Sequence, residues 1–230
     1  MIHRVLAVAL IAGLLTGLAT AALQQFVTTP LIHIAETYEA AHAAEAHGGE
    51  AAADWKPAEG VERIAATSLA TIGASVGYAL LLLAAMLFAN ESIEPRRALA
   101  WGLAGFGATG LATGMGLAPQ LPGAAEAALA ARQFWWVGAA LATALGLYLL
   151  LRQDRAPLKA LGALSIAAPH LWGAPRATSF ESAVPAELAA RFAASSLAVQ
   201  AVTWALLGVS VGLAWEALRR RSAGEASVEG

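Results

Sequence analysis

Three copies of one short spacing mark the residues most able to do chemistry: His33-Ile-Ala-Glu36, His42-Ala-Ala-Glu45 and His47-Gly-Gly-Glu50. Residues three apart share a helix face, so each pair can bring an imidazole nitrogen and a carboxylate oxygen to one point. Donors of this kind suit a first-row divalent ion such as Co, Ni or Zn. His33, Glu36, His42, Glu45, His47 and Glu50 are therefore candidate metal ligands. They lie in residues 29–62, the longest polar interval, which holds three of the five histidines and seven of the sixteen carboxylates. The bland alternative is an Ala, Glu and His-rich linker in which such spacings arise from composition alone. His170 is a further candidate. It follows Pro169 in a segment that ends at Pro175, and two prolines withhold backbone donors and leave carbonyl oxygens free beside the imidazole. Its bland alternative is an interfacial histidine that caps a broken helix.

Other chemistries are excluded or unsupported. With no cysteine there is no disulfide, thiolate site or Cys nucleophile. No HExxH, GxSxG or phosphate-binding glycine loop occurs, and no basic stripe points to nucleic acid. No catalytic or cofactor-binding residue is assigned, and an enzyme is not expected. No Asp, Glu, Lys or Arg lies deep in an apolar run, so the usual mark of a proton-coupled antiporter is missing.

The elements that must position these residues are membrane helices. The chain of 230 residues is 58% hydrophobic and only 13% charged, against about a quarter charged in soluble domains, and its mean hydropathy is +0.61. About 20 apolar residues span a bilayer. The pattern predicts an all-α, polytopic helix bundle, a single transmembrane domain over 1–221, with six spans at about 5–28, 64–90, 98–117, 133–151, 158–173 and 193–216. The fifth is short and Pro-broken. Six crossings with both termini cytoplasmic put nine Lys/Arg inside and five outside, as the positive-inside rule requires. This places the His/Glu loop 29–62 outside and leaves 222–230 as a disordered cytoplasmic tail. The first span is expected to be a retained helix, although Ala19-Thr20-Ala21 resembles a signal-peptide cleavage site. Trp101, Trp135, Trp136, Trp172 and Trp215 fall near span ends, where interfacial rings sit. Gly13/Gly17, Gly73/Gly77, Gly110/Gly114 and Gly208/Gly212 are GxxxG pairs for close helix approach. Thr16, Thr20, Gln24, Gln25, Gln133, Gln200 and Thr203 read as interhelical hydrogen-bonding groups.

Several ordered segments together resemble the CbtA family: WKPAEGVER at 55–63, APQLPG at 118–123, AARQFWW at 130–136, PHLWGAP at 169–175 and SAVPAELAARFAASSL at 182–197. The resemblance implies a membrane subunit for cobalt uptake linked to cobalamin synthesis. It also implies a partner, CbtB, a small single-span protein with a histidine-rich end. In that picture the loop histidines collect the metal and PHLWGAP shapes its path. Relatives carry a denser histidine run; here His42 and His47 stand in the central part, with His33 at its head.

The expectation is therefore a multi-pass inner-membrane subunit with a flexible outer capture site. Co2+ is cargo rather than a resident cofactor, and imidazole and carboxylate would accept Ni2+ or Zn2+ as readily. Capture by imidazoles should weaken as the solution acidifies below about pH 6. A homo-oligomer through the GxxxG faces is a weaker partner option. One rival is a non-transporting membrane scaffold whose loop is only a linker. Another is a membrane enzyme or quinone-binding protein using Trp135, Trp136 and His170, which would carry a visible chromophore.

Overall fold

Pro30 decides the first break in the chain. It has no N–H to give the Phe26 carbonyl one turn back, so the apolar helix α1 (Ile2–Val27) stops. A second helix, α2 (Thr29–Glu45), begins at once with Pro30 in its opening turn, where the fixed φ suits a helix start. The Leu31 and Ile32 amides both donate to the Thr28 carbonyl at 3.1 Å. The computed structural model describes residues 2–45, 57–178 and 182–226; the side chains of 43–45 and 222–226 lie outside the description. His47 and Glu50 lie outside the described residues, as does the Glu45 side chain.

Every described element is helical. After α2 come α3 (Val61–Phe88), α4 (Pro95–Phe106), a π segment (Gly107–Ala112), α5 (Thr113–Gly116), α6 (Leu129–Arg152), α7 (Ala156–Trp172) and α8 (Ala186–Ala226). Four helices are long and apolar enough to cross a membrane: Ile2–Val27, Val61–Phe88, Leu129–Arg152 and Ala186–Arg221. The third expected span falls in the uninterrupted run of α4, π segment and α5, of 12, 6 and 4 residues. The fifth is α7, at 17 residues.

Two expectations need correction. Helix α7 is not broken at Pro169 but runs through it to Trp172, because Pro169 sits in the last turn and forfeits only the bond to Ser165. The helix stops at Gly173, whose φ of 91° suits glycine. Helix α8 also continues to Ala226, into the tail expected to be disordered, since no proline follows Arg221 to end it; residues 227–230 lie outside the described residues.

The chain divides into two compact units. The first takes Met1–Gln25, Glu50–Leu103 and Ala201–Gly230. Its helices meet at glycine: a Cβ on Gly13 or Gly17 of α1 would lie 2.5 or 2.6 Å from the Val76 or Ile72 Cα of α3, and one on Gly208 of α8 would lie 2.5 Å from the Ala98 carbonyl of α4. Polar bonds add to these contacts. The Thr20 and Thr203 hydroxyls are 3.0 Å apart, and Thr71 donates to Gln24 Oε1 at 3.0 Å. At the membrane edge, outside the spanning segments, Arg97 hydrogen-bonds Glu91 and lies near Glu94. The bond to Glu91, then the charges of Glu91 and Glu94, raise its pKa above the ordinary guanidinium value. On α1, Leu6, Leu10, Leu14 and Leu18 form an exposed row, as a lipid-facing side requires.

The second unit takes Phe26–Gly49 and Ala104–Gln200. Here α6 packs on α7, with Gly146 against Gly162: a Cβ on either would lie under 3.0 Å from the other's carbonyl. Ser165 Oγ donates to the Ala142 carbonyl at 2.8 Å. The π segment follows from composition. Its run is rich in glycine, and Thr109 and Thr113 donate to the Gly105 and Thr109 carbonyls at 2.8 and 2.7 Å, so hydroxyls take up carbonyls that wider turns release.

The expected GxxxG contacts thus exist for Gly13/Gly17, Gly208/Gly212 and Gly110/Gly114, whereas a Cβ on Gly73 or Gly77 would meet nothing within 4 Å. Gly208→Ala should therefore lower stability by about 1–3 kcal/mol through overpacking, while Gly73→Ala should raise it by up to about 1 kcal/mol through helix propensity. Unfolding of the purified variants in detergent micelles checks both signs.

Candidate metal site

The local pair is formed. His33 Nδ1 lies 3.3 Å from Glu36 Oε2, with the His33 side chain 49% exposed and that of Glu36 33% exposed. The helix that carries them is held by its other side. Leu31 and Ala35, one turn apart, are buried against Leu121, Val184 and Phe192, and Ile32, Leu188 and Ala189 pack around them. A Cβ on Gly123, whose φ is 76°, would lie 3.5 Å from Glu39 Cβ and 3.6 Å from Ala183 Cβ. The Ala183 amide donates to the Gly123 carbonyl at 3.2 Å. The first half of the stretch expected as a flexible loop is therefore a docked helix.

That helix separates its histidines. His42 lies nine positions beyond His33, about two and a half turns and about 13 Å along the axis, so the two project to opposite sides of α2. Among the described residues no group of three or more His, Asp or Glu side chains could hold a metal ion. His33 and Glu36 offer two ligands on one exposed patch, His42 is a separate exposed donor, and Glu45, His47 and Glu50 lie outside the described side chains. A divalent ion at His33 and Glu36 would complete its shell with water.

His170 sits elsewhere in the second unit, in the last turn of α7. Its ring meets Trp135 edge-on, with centroids 5.9 Å apart and planes at 73°. Trp135 is 8% exposed, so it belongs to the interior rather than to an interfacial belt. Its Nε1 donates to the Pro169 carbonyl at 3.2 Å, and the Gly173 amide donates to the same oxygen at 3.0 Å. The Pro169 carbonyl beside His170 is thus doubly occupied. The carbonyl deprived of its helical donor is that of Ser165, one turn back. Gly116 makes room for the indole, since a Cβ there would lie 2.1 Å from the ring. Sequence reasoning missed this knot; the signal was glycine at 116 in register with a tryptophan on another helix, which only the fold reveals.

Trp135→Phe keeps one aromatic ring but removes the donor and part of the volume, and should cost about 1–2 kcal/mol; Trp135→Ala should cost about 3–5 kcal/mol through the cavity. Chemical unfolding of the detergent-solubilised chain separates the two.

No curated protein and no solved structure matches the chain. The CbtA family, described as "Probable cobalt transporter subunit", matches residues 2–216, from the start of α1 into the last third of α8. The family's description is that of a transporter subunit. The term subunit implies a complex, and the apolar helices fit a multi-pass membrane protein. The chain belongs to the CbtA family, whose description is that of a probable cobalt transporter subunit.

Proposed function

We propose that this chain is a six-crossing inner-membrane subunit of a cobalt uptake system serving cobalamin synthesis. Family membership over residues 2–216 is the observation that carries the reading. Besides the four long apolar helices, the α4, π and α5 run and α7 supply the third and fifth crossings. Both termini are then cytoplasmic, with nine of the fourteen Lys/Arg on that side. Helix α2 and the following His/Glu stretch lie outside, where their carboxylates concentrate cations. His33 with Glu36, His42 with Glu45, and His47 with Glu50 act as successive weak capture pairs, and His170 is an entry ligand beside Trp135. The partner is a CbtB-like single-span protein with a histidine-rich end, which supplies ligands this chain lacks. No cofactor is held permanently; the ion is cargo, and nickel and zinc compete for the same donors.

One observation favours a second reading, a non-transporting membrane scaffold: the described ligands do not converge on a three-ligand site. Cobalt-57 accumulation in cells lacking other cobalt importers decides between them. Uptake is expected only when this chain and its small partner are both expressed. Alanine at His33, His42 and His47 together should reduce initial uptake several-fold at limiting cobalt and little at saturating cobalt. Absence of uptake with the partner present would leave the scaffold.

A further inference from the structure

The oxygen chemistry left unused so far gathers at the π segment of the second unit. Each π bond reaches five residues back rather than four, so the segment's margin leaves a carbonyl without its α-helical donor. Such backbone at membrane depth is tolerated where it is buried in protein or lines a cavity.

Two other helices bring polar side chains to this level. A Cβ on Gly107 would lie 3.5 Å from Leu147 Cδ1, and one on Gly116 would meet Trp135. Helix α6 therefore runs antiparallel past the segment, with Thr143, one turn before Leu147 on the same side, level with its middle. Thr143 is 3% exposed, and its hydroxyl has no hydrogen-bond partner. From α8, the Gln200 side-chain oxygen rests on Gly110, where a Cβ would lie 2.7 Å from Oε1. Thr109 and Thr113 point their hydroxyl protons at backbone carbonyls, which leaves their lone pairs as acceptors.

An unpaired buried hydroxyl costs about 1–3 kcal/mol, and valine would fill the same volume without that cost. The fold gains nothing from Thr143 that explains it. We propose that Thr143 Oγ1, Gln200 Oε1 and the π segment form an uncharged oxygen site for the partly hydrated divalent cation in transit. The proposal rests on the transport reading. Neutral oxygens replace part of the hydration shell, and the absence of a carboxylate keeps the ion from being trapped, as conduction requires.

The test uses the full chain with alanine at His33, Glu36, His42, Glu45, His47, Glu50 and His170, so that the capture pairs and the entry ligand contribute nothing, purified into lipid nanodiscs with cobalt-57 chloride. Thr143→Val and Gln200→Leu should each raise the half-saturating cobalt concentration about tenfold and lower uptake in cells to match. Thr143→Ser, which keeps the hydroxyl, should bind like the parent. Thr143→Val should also leave thermal stability unchanged or raise it, which separates a lost ligand from a damaged fold. Unchanged cobalt binding in Thr143→Val, or no binding by the parent, overturns the site and leaves at most a resident water. Binding that falls in Thr143→Val while the wild-type pair takes up no cobalt upholds the site and removes the transport reading instead.

Discussion

Helices in hydrocarbon gain little by hiding apolar side chains from each other, because lipid tails are as apolar as leucine. Their association depends on close backbone approach, and in this chain glycine supplies it. Gly13 and Gly17 let α1 touch the Val76 and Ile72 backbone, Gly208 and Gly102 close α8 on α4, and Gly146 with Gly162 closes the α6–α7 hairpin. At each of these a methyl group would fall under 3.0 Å from a neighbouring atom, so dispersion contacts and carbonyl dipoles meet at the shortest range. The rest of the structure follows from these contacts, since they set which polar side chains come level with one another.

The polar groups then fall into two sets. Charged pairs such as Arg63 with Glu59, Arg132 with Glu126 and Arg97 with Glu91 lie at helix ends or in connections, where water reaches at least one partner of each; the Glu91 side chain is itself buried and relies on Arg97. Among the described residues the polar contacts between helices come from hydroxyls, the Gln24 amide and the Trp135 indole, and most donate to a backbone carbonyl or to each other. On the proposed route a cation would pass from imidazole and carboxylate donors on α2 to neutral oxygens within, from tighter to looser ligation.

Much of the architecture was legible in sequence because its signals are local. Apolar runs gave helices close to the observed bounds except at α8, which extends well past its run at both ends, and His33 with Glu36 was readable because three residues of helix fix their distance. Where contacts are non-local, the reading failed. Leu31 and Ala35 look unremarkable in a polar stretch until Leu121, Val184 and Phe192 arrive from distant segments to bury them. Trp135 looked interfacial by its place near a helix end, yet Gly116 and Pro169 draw it inward. Pro169 looked like a break because proline's cost is usually paid in mid-helix; in a last turn little remains to break. The π segment was hidden because glycine and threonine density does not tell an α turn from a wider one.

Helix α7 has 17 residues, a length of about 25 Å, against a hydrocarbon core of about 30 Å. Where so short a rod crosses, as proposed, the bilayer must thin beside it or let its polar flanks sink inward. On that reading headgroups and water would follow the surface down toward His170 in the last turn of α7. The lipids would then become part of the proposed vestibule, and membrane thickness would join the protein's residues in setting how far a hydrated ion travels before it meets that imidazole.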